Sequence, residues 1–115
     1  MTNIHQEAIA ACQECHMTCQ DALAYHGDEG GGKQLSSQHL KRLMAAIELC
    51  QTTSNLLAIR APMVDQLCEL CAHICEQCAT SCIAIDIEAM KRCAVVCQHC
   101  AKALWDESHH IKQVA

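Results

Sequence analysis

Eleven of the twelve cysteines in this 115-residue chain stand three or four residues from a neighbour: Cys12, Cys15 and Cys19, then Cys68, Cys71, Cys75, Cys78 and Cys82, then Cys93, Cys97 and Cys100. Thiolates in such numbers can grip soft metal ions, form disulfides or carry oxidation. The alternation of three and four is the period of the inward seam of a bundled α-helix. A residue type that on loops reads as a disulfide framework or zinc knuckle is therefore expected to line helix interiors. On one helix face, residues i and i+4 lie about 6 Å apart and i and i+3 are similarly close. Cys15 with Cys19, Cys71 with Cys75, Cys78 with Cys82 and Cys93 with Cys97 are the four-residue pairs. Cys12 with Cys15, Cys68 with Cys71, Cys75 with Cys78 and Cys97 with Cys100 are the three-residue pairs, and each shared cysteine could bridge two ions.

The choice of ion follows from geometry and charge. Structural zinc wants four ligands in a tetrahedron, whereas soft Cu(I) accepts two or three thiolates, and a rigid helix supplies pairs more readily than tetrahedra. Buried thiolates without cations are prohibitive, but a monovalent ion for each thiolate leaves a nearly neutral core. Half as many divalent ions would do the same. Multiple Cu(I) ions per chain are the expected cargo; a thiol-based redox sink or sensor and the sequestration of zinc or cadmium are the alternatives. A disulfide framework is disfavoured because thiol pairs within a helix point the wrong way and a reducing cytosol opposes it. Iron–sulfur runs normally sit on loops with Gly or Pro, and no Pro follows a cysteine here. No acid/base constellation stands out beyond Glu and His at outward positions, so an enzyme is not expected.

Four helices must position these thiols. Asn3 to His26 carries the seam His5, Ala8, Cys12, Cys15, Cys19, Ala22 and His26. The run Gly27-Asp28-Glu29-Gly30-Gly31-Gly32-Lys33 ends it, since consecutive glycines are costly in a helix. Ser36 or Ser37 caps a second helix over 36–60 with the seam Leu40, Leu43, Ile47, Cys50, Ser54 and Leu57, so the solitary Cys50 is in register. Pro62 suits the first turn of a third helix over 62–84, and Asp86 the N-cap of a fourth over 87–111 with the seam Met90, Cys93, Cys97, Cys100 and Leu104. The fold class is all-α: residues 1–115 form one antiparallel up-down-up-down four-helix bundle with a cysteine-lined core. Its apolar fraction of 51% rests heavily on cysteine, with no Phe, one Trp and one Tyr, so the metal-free core is expected to be loosely filled.

Running the helices alternately up and down brings His26, His39, Cys82, Asp86 and Met90 to one end, and His5, Leu57, Val64 and Leu104 to the other. The first end holds imidazole and thioether, and His26, His39 and Met90 are read there as the mouth that admits Cu(I). Met17, His16, His73 and His99 fall off the seam and read as surface residues, and His109-His110 as a fraying helix end. A second apolar stripe, Leu49, Leu56 and Ile59, points to self-association. A net charge of −5 without a basic cluster argues against nucleic acid. Without a secretion signal or a long apolar run, neither export nor membrane insertion is expected and a cytoplasmic location is.

The whole chain resembles the copper storage proteins, cysteine-rich four-helix bundles. The resemblance rests on the bundle length, the run from Cys68 through Cys71, Cys75 and Cys78 to Cys82, and Cys93-Ala94-Val95-Val96-Cys97-Gln98-His99-Cys100. It implies storage of many Cu(I) ions along the core and assembly into homo-oligomers, often tetramers. It further implies the cytosolic kind, because the export signal of other members is not seen. By that likeness Cys12, Cys15, Cys19, Cys50, Cys68, Cys71, Cys75, Cys78, Cys82, Cys93, Cys97 and Cys100 are copper ligands. The departure is the second helix, which offers Cys50 alone.

Overall fold

A computed structural model describes residues 3–29 and 36–114, with backbone only for 26–29. Among the described residues there are four helices: α1 Ile4–Glu29, α2 Ser37–Ala58, α3 Val64–Ile83 and α4 Glu88–Val114. The first two begin where a side chain satisfies free N–H groups. The Asn3 carboxamide oxygen accepts from the N–H groups of His5 at 2.8 Å and Gln6 at 3.3 Å, and the Ser36 hydroxyl accepts from His39 N–H at 3.1 Å, so both helices carry side-chain N-caps.

Helix α2 ends earlier, and α3 starts later, than the sequence suggests: at Ala58 and Val64 in place of residues 60 and 62. Ala61 N–H reaches Leu56 O and Arg60 N–H reaches Leu57 O, both at 3.0 Å, the paired bonds of a Schellman stop with Arg60 at φ 52° in the position usually given to glycine. Met63, at φ 64°, then serves as the left-handed residue before α3. Pro62 thus belongs to the turn, and α3 opens at Val64 rather than at residue 62. Likewise α1 runs through Gly27 to Glu29 rather than ending at His26, and α4 extends to Val114 past the two histidines that were read as frayed. Asp86 stands one residue outside the cap of α4: Ile87 O accepts the first helical bond from Lys91 N–H at 3.0 Å, while the Asp86 carboxylate pairs with Lys91 at 2.9 Å.

The helices form a ring in which α1 lies beside α2 and α4, and α3 beside α2 and α4. Antiparallel neighbours joined by short connections give the up-down-up-down bundle. Its interior is made of small side chains. All twelve cysteines are 0% exposed, and they are flanked by buried Ala8, Ala11, Ala22, Ala46, Ala72, Ala79, Ala94 and Ala101. The larger apolar side chains of the core are Leu43, Ile47, Leu57, Val64, Met90 and Leu104. Leu49 and Leu56, read as an outward stripe, instead pack partly buried against this core, whereas Ile59 at the end of α2 is 72% exposed.

Candidate metal centre

The thiols lie in layers down the axis because each helix repeats its inward position every three or four residues. Their closest approaches run mostly between helices. Cys15 Sγ on α1 stands 3.6 Å from Cys97 on α4 and 4.0 Å from Cys75 on α3. Cys19 stands 3.5 Å from Cys93 and 3.7 Å from Cys97. Cys50, the single cysteine of α2, reaches Cys75 at 3.6 Å and Cys71 at 3.8 Å. Cys100 meets Cys12 at 3.9 Å. Along single helices, Cys15 with Cys19, Cys93 with Cys97 and Cys78 with Cys82 approach to 3.9–4.0 Å. From Cys71 through Cys50, Cys75, Cys15 and Cys97 to Cys19 and Cys93, an unbroken path of sulfur contacts of 3.5–4.0 Å crosses all four helices.

Two sets of four thiols have every Sγ within 4.8 Å of the others: Cys15, Cys50, Cys75 and Cys100, one from each helix, and Cys19, Cys78, Cys93 and Cys97. The expectation that helices deliver pairs and not tetrahedra holds within one helix and fails across the bundle, where four seams converge on one point. The twelve thiols are free and buried, the opposite of the accessible cysteine that a redox sensor needs.

Protons are distributed unevenly over this array. Burial, with the Glu107 carboxylate adding to it, pushes the Cys68 thiol up to about 12. The Cys93 thiol, hydrogen-bonded first by Cys19, is pulled down to about 5. At Cys93 donation from neighbouring thiols favours the charged form, while burial opposes it.

At the upper end, His39 is 2% exposed, its Nδ1 2.5 Å from Ser81 Oγ and its Nε2 3.4 Å from Met90 Sδ. The structure therefore brings His39 and Met90 together, and Ser81 is a partner the sequence reading missed. The side chain of His26 lies outside the described residues, as does the stretch 30–35 of the glycine-rich loop. His73 and His99 are exposed, as read, and Met17 is 62% exposed. His16 is not a free surface group: its Nδ1 lies 2.7 Å from Ile47 O, which ties α1 to α2.

The lower end carries a buried group that the sequence reading did not single out. Glu107 is 0% exposed, with Oε2 2.5 Å from His5 Nδ1 and Oε1 unpartnered; Thr53 Oγ1 is also buried without a partner. The signal was available, since Cys100, Leu104 and Glu107 continue the same helical stripe, but acidic residues are seldom fully buried. Ser108 and Lys112 hydrogen-bond Glu69 and tie the end of α4 to α3.

Among the described residues, no helix is long and apolar enough to cross a membrane. Residues 1–108 match the family described as "Csp: Copper storage protein". An uncharacterized cysteine-rich protein, YhjQ of Bacillus subtilis (strain 168), is 29% identical over 116 residues, spanning 100% of this chain and 99% of its own. The crystal structure of the Nmul_A1745 protein from Nitrosospira multiformis superposes with a TM-score of 0.83 at 32% identity, covering 93% of this chain and 96% of that one. A Cu(I)-bound copper storage protein, BsCsp3, gives 0.82 at 22% identity over 90% of this chain and 97% of its own, a likeness that bears on fold alone.

Proposed function

The chain belongs to the copper storage protein family, and from that premise we propose that it stores and buffers multiple Cu(I) ions on the thiolates of its core. The observation that carries this reading is the continuous sulfur path, with contacts of 3.5–4.0 Å and every thiol shut off from water. Soft Cu(I) takes two or three thiolates, and neighbouring sulfurs at these distances provide such pairs from the Cys12–Cys100 contact to the Cys78–Cys82 contact. The proposed ligands are Cys12, Cys15, Cys19, Cys50, Cys68, Cys71, Cys75, Cys78, Cys82, Cys93, Cys97 and Cys100. Binding displaces thiol protons, and one monovalent ion for each thiolate keeps the interior close to neutral. Storage needs no turnover, so the role is non-enzymatic.

Anaerobic titration of the reduced protein with Cu(I), against a chromogenic chelator, tests the reading. Uptake should approach the cysteine count of twelve, whereas tight uptake of only one or two ions would refute storage.

The end where His39 meets Met90 serves as the mouth. An imidazole beside a thioether can receive Cu(I) and pass it to Cys82 and Cys78, while Leu57, Val64, Leu104 and the His5–Glu107 pair close the other end. His26 belongs to the same end by its place on α1. The double variant His26→Ala/His39→Ala should take up Cu(I) more slowly in stopped-flow chelator competition and reach the same final loading. Unchanged kinetics would remove the mouth from this end.

A homo-oligomer in the cytoplasm, by family likeness a tetramer, completes the proposal. It is supported by exposed Met17 and Met44 and by an apolar groove of about 320 Å³ between α1 and α2 lined by Leu23, Ala24, Met44 and Ile47.

A further inference from the structure

The two four-thiol sets have a geometry that copper storage does not require. Copper(I) is satisfied by pairs or triads, but these sets have the shape of a different ion's site. A tetrahedron with metal–sulfur bonds of about 2.3 Å has sulfur–sulfur edges of about 3.8 Å. In the lower set, Cys50 to Cys75 is 3.6 Å and Cys15 to Cys75 is 4.0 Å. In the upper set, Cys19 to Cys93 is 3.5 Å, Cys19 to Cys97 is 3.7 Å and Cys93 to Cys97 is 3.9 Å. The remaining edges of both sets stay within 4.8 Å. A staggered cysteine side chain closes the remaining gap by a small turn about one torsion, with the backbone held by its helix.

We infer that the reduced bundle is also a two-site tetrathiolate receptor for thiophilic divalent ions of the zinc and cadmium class, one ion in Cys15/Cys50/Cys75/Cys100 and one in Cys19/Cys78/Cys93/Cys97. Zinc has no ligand-field preference and takes four thiolates in closed tetrahedral sites, and full burial excludes a competing water. Charge limits the count. Four thiolates around a divalent ion leave two negative charges, and the two sets touch through Cys15 and Cys97 at 3.6 Å, so the second ion binds less tightly than the first. The leftover thiols, Cys12, Cys68, Cys71 and Cys82, belong to neither set, and among the described residues they form no third set of four. Divalent loading therefore stops at two, where monovalent loading continues toward one ion per thiolate. Cu(I), the tighter thiolate ligand, displaces both ions as it fills the core.

The inference rests on sulfur positions and stands apart from copper storage, so its test uses no copper. Reduced full-length protein is titrated anaerobically with Co2+, whose visible spectrum reports coordination number and whose near-ultraviolet charge-transfer band reports bound thiolate. The expected result is a tetrahedral tetrathiolate spectrum that grows to two equivalents, reversed by equimolar Zn2+ or Cd2+. Cys75→Ala should lose one equivalent and Cys93→Ala the other, with far-ultraviolet circular dichroism showing the helices intact. The His109→Ala/His110→Ala variant should keep both. A five- or six-coordinate spectrum, or a wild-type endpoint at one or above two equivalents, overturns the inference. The wild-type titration decides this even where a core variant fails to fold.

Discussion

Replacing His5 with alanine should destabilise the metal-free protein by roughly 3–5 kcal/mol, because it strands a buried carboxylate without its partner. Glu107 is 0% exposed and already has one oxygen unpartnered, so losing the imidazole leaves both of its oxygens without a protein partner. The reverse change should cost far less. In Glu107→Leu, the imidazole left behind has a side chain 13% exposed and can be hydrated at the rim, while the leucine extends the apolar plug of Leu57, Val64 and Leu104. We expect that variant to lie within about 1.5 kcal/mol of the parent, the net worth of one hydrogen bond when no buried charge is left stranded. Urea unfolding of the reduced, metal-free protein measures both. For a domain whose whole stability is about 5–15 kcal/mol, the first change is large, and equal losses in the two variants would mean that the pair is not an isolated charge contact.

Loading with Cu(I) should raise the thermal midpoint by about 20 °C or more. A ligand at a hundred times its dissociation constant adds about 2.7 kcal/mol per site to the folded state. Three filled sites therefore supply roughly 8 kcal/mol, at a few degrees per kcal/mol for a domain of this size. The structural reason is the lining: cysteine and alanine dominate the interior, and six larger apolar residues share the rest with five polar ones. Each thiol buries little apolar area, so hydrophobic burial alone stabilises the empty bundle modestly. Calorimetry of empty and loaded protein under nitrogen checks this, and a gain below about 5 °C at full loading would show that the empty core is already well packed.

The thiol lining was legible because helical phase is a property of one strand of sequence. Every cysteine that the three-and-four spacing aimed inward is buried, and Cys50 was found by its register with Leu43, Ile47 and Leu57. That His39 and Met90 share one end followed from helix direction alone; their contact at 3.4 Å did not. Quantities set by two helices at once were not legible. Phase fixes the face a residue occupies but not the axial offset between neighbours, and that offset adds Cys75 and Cys100 to the helical partner Cys19 that the spacing already gave Cys15. Helix ends were missed where the backbone did something unfavourable: Arg60 and Met63 hold left-handed conformations that neither side chain advertises, so Pro62 was taken for a helix start. Gly27 stayed helical because a single glycine costs only about 1 kcal/mol. Glu107 was lost to the habit of reading charge as exposure, although its position continued the stripe.

A cysteine has a single heavy-atom torsion, and a helix leaves it about two comfortable settings of that torsion. Twelve such residues facing one another define roughly four thousand arrangements of sulfur on an unmoving backbone. The alanines beside them leave room for the swing. The bundle is thus a fixed frame with a combinatorial lining: information about what occupies the core is written in torsion angles, and the outer surface can stay the same while the contents change.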